Sequence, residues 1–585
     1  MARIATARDA ERAMTHTATM NGAEALLGLF RTQGTDYIFC SPIAAWAPLW
    51  EALAKRQATT NVETPKYVNC RHETLAVGLA AGYYKATGRA QAVLLPTGLG
   101  VLNGAMAVRS AFHEHIPMVI VAPDTLTHGA VPALDPGPEW PTLLVDLAGP
   151  VRNGETVTKW AKEVKTSTDL AADIRRAWYF AESVPRGPTL VSVPFDVLMS
   201  QVEEPRGRKT KAATLVAPTE SLEEVAELLM HSRSPLIVTE HGARTPQDQA
   251  ALVAIAEHLG APVFEYWMPL YVNFPRAHPL YATDPIETHL KGADCILVVG
   301  AHGPWHPQDT KLPDDCSVIQ IEEDPMRPRA PYWGVQTDLC IAGDVGSNVA
   351  RLAALLNARA NTAEEIHRIN ARTSQWHAHN NASQAQAAQE RETVRTNERI
   401  HAALLFDTLH RMLPDRSVIV DEIIAQVPAM IHHLFRDRDF SHIRGWAGAL
   451  GTGLPTALGV KLARSRDMVV CVIGDGAFNY NPVPACLGLA QQYGVPILVI
   501  ICNNQGYVSQ EWNLYKYFPA GYALRDNNPY GRVIEPTPDY AAMTPAFGAH
   551  GECVTQPRKL EAAIQRAIAA VEQGHLALLD VRLEP

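Results

Sequence analysis

Three things are missing from this chain of 585 residues: a Cys-x-x-Cys pair, an excess of positive charge, and any unbroken apolar run of membrane length. Each absence removes a class of protein. A spanning helix needs roughly 20 consecutive apolar residues, and the apolar stretches here are strand-sized. A net charge of -10 provides no basic footprint for nucleic acid, so no polyanion partner is expected. The nine cysteines (Cys40, Cys70, Cys295, Cys316, Cys340, Cys471, Cys486, Cys502 and Cys553) are scattered, several inside apolar runs. They read as reduced core thiols and point to the cytoplasm. The first twenty residues mix charges of both signs without an apolar centre, so neither a secretion signal nor a membrane anchor is read there.

What is present is a well-cored chain, 47% hydrophobic and 19% charged, too long for one hydrophobic core. Short, almost wholly apolar runs alternate with amphipathic segments, the signature of parallel strands buried on both faces between helices. The first block contains the runs 90–96, 117–122 and 188–193; the second, 234–239, 293–300 and 316–321; the third, 417–420, 468–473, 496–501 and 576–581. Each block predicts an α/β doubly wound domain, so the expected fold is three parallel-sheet domains. The expected boundaries are a tail at 1–18, domains at 19–200, 217–356 and 399–585, and linkers at 201–216 and, largely helical, at 357–398. His377 and His379 in the second linker are expected on a solvated helix face.

The densest chemistry lies between Val472 and Tyr507. One buried strand ends in Gly474-Asp475-Gly476, a helix-like segment follows, and a second strand ends in Asn503-Asn504. A carboxylate and an amide oxygen thus arrive at the carboxyl ends of adjacent parallel strands, the edge at which open α/β sheets bind ligands. Glycines admit a phosphate close to the backbone, and a helix N-terminus favours an anion. Oxygen-only donors suit Mg²⁺, which commonly shares phosphate oxygens with one or two protein groups. The plain alternative is a tight turn capped by Asp475.

Gly-Asp-Gly followed after 26 residues by Asn-Asn resembles the signature of thiamine-diphosphate-dependent enzymes. The resemblance implies that Asp475, Asn504 and the carbonyl of Gly506 ligate Mg²⁺, with Gly474 and Gly476 beside the coenzyme diphosphate. Upstream, Trp446 to Gly459 (WAGALGTGLPTALG) is similar to the segment whose large apolar residue bends the coenzyme; Leu450 falls at that place and Gly448 at the carbonyl that accepts from the 4'-amino group. Cys70-Arg71-His72-Glu73 and the run through Val108 resemble the acetolactate synthase and benzoylformate decarboxylase group. Glu73 matches the glutamate that hydrogen-bonds the aminopyrimidine and promotes loss of the C2 proton. The middle block fits too, at Phe274–Tyr281, Gly292–Ala301 and Ile321–Pro331. In that family the pyrimidine-binding domain of one subunit faces the diphosphate-binding domain of another. The resemblance therefore implies a homodimer or homotetramer, with Glu73 and Asp475 acting across a subunit boundary.

The chain also departs from the pattern. It has no GMxG-type segment after the His-Pro at 278–279, so FAD is not expected, and no GxGxxG in the middle block, so NAD is not expected either. Where benzoylformate decarboxylase carries a catalytic histidine, this chain has Pro96. His278 matches a second family histidine or simply starts a turn, and His115 offers a proton-relaying group beside the substrate pocket or an exposed side chain; both stand as catalytic candidates. Trp512 and Tyr515 are candidates for shaping specificity, and Arg327 and Arg329 for meeting a nucleotide phosphate. The implied activity is that of a lyase or carboligase acting on a 2-oxo acid, with decarboxylation followed by protonation or transfer to an aldehyde or ketone. A 2-hydroxyacyl-CoA lyase and a non-catalytic coenzyme-binding partner subunit are the rival readings.

Overall fold

The computed structural model describes residues 19–584 apart from 63–64, 125, 128–133, 136, 138–139, 267–268, 307–310, 332–333, 435–440, 445–447, 527 and 529. The chain forms two compact units, one of residues 1–80 with 89–212, the other of 81–88 with 213–585.

The first unit contains strands β1 (Thr19–Asn21), β2 (Tyr37–Cys40), β3 (Lys66–Asn69), β4 (Gln91–Leu94), β5 (Met118–Asp124), β6 (Trp160–Glu163), β7 (Pro188–Pro194) and β8 (Gln201–Glu203). Six of them make one parallel sheet in the order β3-β2-β4-β5-β7-β6. The central members are buried along their length, because helices cover both faces. The helix Gly22–Thr32 shows how: Asn21 and Glu24 form a reciprocal capping box, and Leu26, Leu29 and Phe30 turn inward without exposure. The segment read as a linker from Gln201 begins as β8, paired antiparallel with β1.

The second unit holds two sheets. Strands β9 (Pro235–Thr239), β10 (Val263–Glu265), β11 (Tyr281–Ala282), β12 (Cys295–Val299), β13 (Ser317–Glu322) and β14 (Leu339–Ala342) are ordered β11-β10-β9-β12-β13-β14. That is the 3-2-1-4-5-6 order of dinucleotide-binding folds. Strands β15 (Ser417–Glu422), β16 (His442–Arg444), β17 (Met468–Gly474), β18 (Leu498–Asn503), β19 (His550–Val554) and β20 (Ala577–Arg582) are ordered β16-β15-β17-β18-β20-β19, the same winding as the N-terminal sheet. All three six-stranded sheets are parallel and each packs its own apolar core. The expectation of three doubly wound domains holds.

β16 joins the central and C-terminal sheets. Arg444 N donates to the Leu270 carbonyl (3.0 Å), Tyr271 bridges Ile443, and the buried Arg276 guanidinium lies 3.1 Å from His442 Nδ1, whose other nitrogen is 2.5 Å from Asp421. A helix of 32 residues, Ala363–Val394, starts on a capping box between Thr362 and Glu365. His377 lies exposed on it. His379 also keeps an exposed side chain, but it is engaged: its Nε2 is 2.6 Å from Asp284 Oδ1 and its ring packs on Trp376 and His289.

The cysteines also need one correction. Six are buried, but Cys340 and Cys553 are exposed, because both lie on edge strands rather than in the sheet interiors. Among the described residues no helix is long and apolar enough to cross a membrane.

Candidate coenzyme and metal site

Near the middle of each sheet the chain reverses its direction of winding, and the strand ends flanking that reversal open a crevice. In the C-terminal sheet it falls between β15 and β17, which pair Glu422 with Ile473. The next pair out, β17 with β18, aligns Gly474 with Cys502, so Asp475 and the Asn503-Asn504 pair leave the sheet at the same edge.

The two asparagines divide their work. Asn503 is fully buried; its amide donates to Asp580 (2.8 Å) and its oxygen accepts from Gln505 N (3.1 Å), which fixes the turn after β18. Gln505 takes a left-handed φ of 64° there. The turn brings Gly506 N to Asp475 Oδ2 at 2.9 Å and aims Asn504 at the same carboxylate. One terminal atom of the Asn504 amide lies 3.2 Å from Asp475 Oδ1 and 2.9 Å from the Gly506 carbonyl oxygen, and the other lies 2.9 Å from Gln426 Nε2.

Both of the first two neighbours are acceptors, which leaves two arrangements. With nitrogen on that side, Asn504 donates to both; with oxygen there, three oxygens face one another and need a cation between them. An octahedron with Mg–O bonds near 2.1 Å has edges of about 3 Å, which matches these spacings. Asp475 is 1% exposed, and burial pushes its carboxyl up to about 6 against the N–H groups donated by Gly476 and Gly506. Among the described residues no cationic side chain forms an ion pair with it. The set therefore fits a hard divalent cation by donor type, spacing and charge.

The glycines of the motif are unequal. A Cβ on Gly476 would lie 2.6 Å from the Tyr507 ring, and one on Gly506 2.3 Å from the Arg532 carbonyl, whereas Gly474 has ordinary room. The expected helix after Gly476 is shorter than the spacing suggests: one turn, Asp475–Phe478, precedes a separate helix, Val483–Tyr493.

Glu422, at the end of β15, has no counterpart in the sequence reading. Its carboxylate accepts from Gly451 N (2.7 Å), Thr452 N (3.1 Å) and Gly453 N (3.2 Å), and from the Asn481 amide (2.7 Å). It therefore clamps the loop that carries Gly448 and Leu450 to the segment that follows Asp475. Burial pushes its carboxyl up to about 7, although all four donors favour the ionised form. Gly448 has φ +73°, a left-handed conformation suited to glycine, and Leu450 stands half-buried on this loop. Trp446, the start of the run, lies outside the described residues. A cavity of about 490 Å³ opens beside Asn504, lined also by Gln426, Ala425, Pro428 and Val508.

In the first unit the winding reverses between β2 and β4, where Ser41 N donates to the Leu94 carbonyl. Glu73 begins the helix Glu73–Thr87, and its carboxylate is held on both oxygens: Ser41 Oγ donates to one at 3.0 Å and the Asn103 amide donates to the other. Gly104 lets the next helix pass, since a Cβ there would lie 3.2 Å from the Glu73 Cβ. Asn103 lies within the motif run that ends at Val108, whereas Ser41 carried no signal.

The two histidine candidates have other engagements. His115 is buried rather than exposed, with φ 52° and Nδ1 3.3 Å from the Arg186 carbonyl. His278 accepts from Leu280 N at Nδ1 (3.1 Å), while Nε2 lies 3.3 Å from Glu257 and the ring edge meets Phe274. These are the contacts of a turn residue, and they do not join His278 to the Asp475 set. Arg327 donates to the His302 carbonyl (3.2 Å) rather than standing free for a phosphate. Trp512 and Tyr515 are on an exposed helix, Trp512–Tyr517, and Trp512 also lines a cavity of about 580 Å³ with Tyr266, Glu287 and Ile431.

Comparison with known proteins gives a consistent result. Three domain models match in order: the thiamine pyrophosphate enzyme N-terminal TPP binding domain at residues 20–131, the central domain at 222–352 and the C-terminal TPP binding domain at 424–581. The chain is 25% identical over 582 residues to the acetolactate synthase large subunit of Haemophilus influenzae, covering 97% of this chain and 95% of that one. It is 28% identical over 535 residues to benzoylformate decarboxylase of Pseudomonas aeruginosa, covering 89% and 93%. Its fold is similar to a 4-hydroxybenzoylformate decarboxylase of Rhodococcus jostii, with a TM-score of 0.76, 23% identity and coverage of 97% and 99%.

Proposed function

From the premise that this chain belongs to the thiamine pyrophosphate enzyme family, we propose that it is a carbon-carbon lyase or carboligase acting on a 2-oxo acid. The observation that carries the reading is the convergence of the Asp475 carboxylate, the Asn504 amide and the Gly506 carbonyl at the winding reversal of the C-terminal sheet. When bound, the coenzyme supplies an electron sink that lets a bond beside a carbonyl break.

The protein's own part is holding and proton handling. Asp475, Asn504 and the Gly506 carbonyl hold Mg²⁺, whose charge offsets both the buried carboxylate and a diphosphate. Leu450 supplies an apolar surface on a loop that Glu422 fixes through three consecutive N–H groups. Glu73 holds a proton against a ring nitrogen of the coenzyme, and Ser41 and Asn103 set the direction in which its carboxylate points. With the substrate a 2-oxo acid, departure of CO₂ is followed by protonation or by capture of an aldehyde or ketone. The relatives, an acetolactate synthase and a benzoylformate decarboxylase, span both outcomes.

The same reading makes at least two copies the active unit, with Glu73 of one serving the coenzyme held by Asp475 of another. Co-expressing Glu73→Gln with Asp475→Ala then recovers about a quarter of wild-type activity, since half of randomly paired dimers carry one intact site of two. No recovery breaks the shared-site assignment.

The activity itself is tested by incubating the protein with thiamine diphosphate, Mg²⁺ and a panel of 2-oxo acids, with and without aldehyde acceptors, while following CO₂ and new products. Glu73→Gln is expected to lower turnover by roughly 10²- to 10⁴-fold with coenzyme still retained. Retention of coenzyme without CO₂ or product from any 2-oxo acid would overturn this reading in favour of the 2-hydroxyacyl-CoA lyase or the non-catalytic one.

A further inference from the structure

The coenzyme chemistry leaves the strand-end cluster of the central sheet without a task. β9 and β12 flank the winding reversal there and align Thr239 with Val299, while β13 ends beside them at Glu322. His241 N donates to the Gly300 carbonyl (2.8 Å) and Gly300 N to the Ile321 carbonyl (2.9 Å), which ties the three strand ends together. Two glycines make the crossing possible. A Cβ on Gly242 would lie 2.6 Å from a Val299 methyl, and one on Gly300, at φ +53°, 2.9 Å from the Gly242 backbone.

Into this built crevice come two imidazoles and a carboxylate. His241 and Glu322 are 1% and 0% exposed, with Nε2 and Oε2 3.3 Å apart, and the His302 ring centroid lies 4.7 Å from that of His241. One ligand atom from each of the three falls within 4.8 Å of the others. We propose that His241, His302 and Glu322 form a Zn²⁺ site at the winding reversal of the central sheet.

Four-coordinate zinc with bonds of about 2.0–2.1 Å spaces its ligands by about 3.3 Å. The His241–Glu322 pair already has that span, and half-buried His302 closes the rest by a side-chain rotation. Its loop is anchored on either side, since His302 N donates to Glu240 Oε2 (3.2 Å) and its carbonyl accepts from Arg327.

A dinucleotide phosphate, which this strand order would otherwise invite, meets the carboxylates of half-buried Glu240 and buried Glu322 instead. A salt bridge between His241 and Glu322 alone would not require a second imidazole beside the first. Nitrogen donors favour zinc over magnesium, so the two sites of the second unit select different ions.

The test uses the full chain loaded with thiamine diphosphate and Mg²⁺, stripped of transition metals, equilibrated in a zinc buffer and assayed by elemental mass spectrometry. The expected result is about one zinc per chain, falling at least about tenfold in His302→Gln with coenzyme retention unchanged. Cobalt supplied instead gives visible absorption bands in wild type that His302→Gln lacks. His241→Asn repeats the loss from the buried side, and His302→Gln decides alone if that variant does not fold. Zinc below about a tenth of an equivalent in wild type, or equal retention in the folded variants as for an adventitious ion only, overturns the site.

Discussion

The strand-end clusters of the central and C-terminal sheets occupy the same topological place, yet they are furnished with opposite donors. Beyond β17 and β18 stand a carboxylate, a side-chain amide and a carbonyl; beyond β9, β12 and β13 stand two imidazoles and a carboxylate. The doubly wound sheet dictates where a ligand sits, because parallel strand ends and crossover loops meet there. It does not dictate which ligand. That choice rests on the two or three residues that follow each strand, and it is made independently in each sheet.

The comparison breaks most readily at Asp475. Asp475→Ala removes the one charged oxygen of the set, and Mg²⁺-dependent coenzyme retention and turnover are expected to fall by more than about 100-fold. Zinc retention at His241, His302 and Glu322 should not change, so loss of both ions together would show that the two clusters are not independent.

A second contrast concerns Glu422. Its carboxyl, raised to about 7 from an ordinary 4.5, binds more protons in the folded than in the unfolded chain between those values. Folding stability from this group is therefore full below pH 4.5 and is lost as pH rises to 7, by on the order of 3 kcal/mol. Glu422→Gln has no such slope. The difference in thermal midpoint, wild type minus variant, should fall from pH 5 to pH 7 in melting curves; a rise would mean that the loop N–H groups keep the carboxylate ionised.

The smallest effect is expected at Gln426. Its amide meets Asn504 on the side away from Asp475, and by turning over it can satisfy either orientation of the Asn504 amide. Gln426→Leu should weaken Mg²⁺ binding by about tenfold in a calorimetric titration. Gln426→Glu, which can only accept there, turns the Asn504 oxygen toward the metal and should retain affinity.

Legibility followed burial. All ten apolar runs read from the sequence are strands, and every one is an interior member of its sheet, such as β4, β5, β9, β12, β17 and β18. The unread strands include the edges. β6 is Trp-Ala-Lys-Glu with no residue fully buried, β19 alternates exposed and half-buried positions, and β11 has two residues. An edge strand is covered on fewer sides, so its composition does not separate it from a loop. The site divides in the same way. Asp475, Asn504 and Glu73 belong to contiguous motifs, whereas Ser41 is 32 residues from the carboxylate it holds and Glu422 29 to 31 residues from the N–H groups it accepts.

By itself the sequence determined the three parallel sheets, through strands apolar enough to be buried on both faces, and the residues at the metal end of the C-terminal sheet, through a spacing that places two strand ends side by side. Tertiary structure alone decided what surrounds them. Crossover connections brought Glu422 to the Leu450 loop, Gln426 to Asn504 and the His302 ring to that of His241. Partners of that kind are chosen by sheet order and register, which no local pattern of residues records.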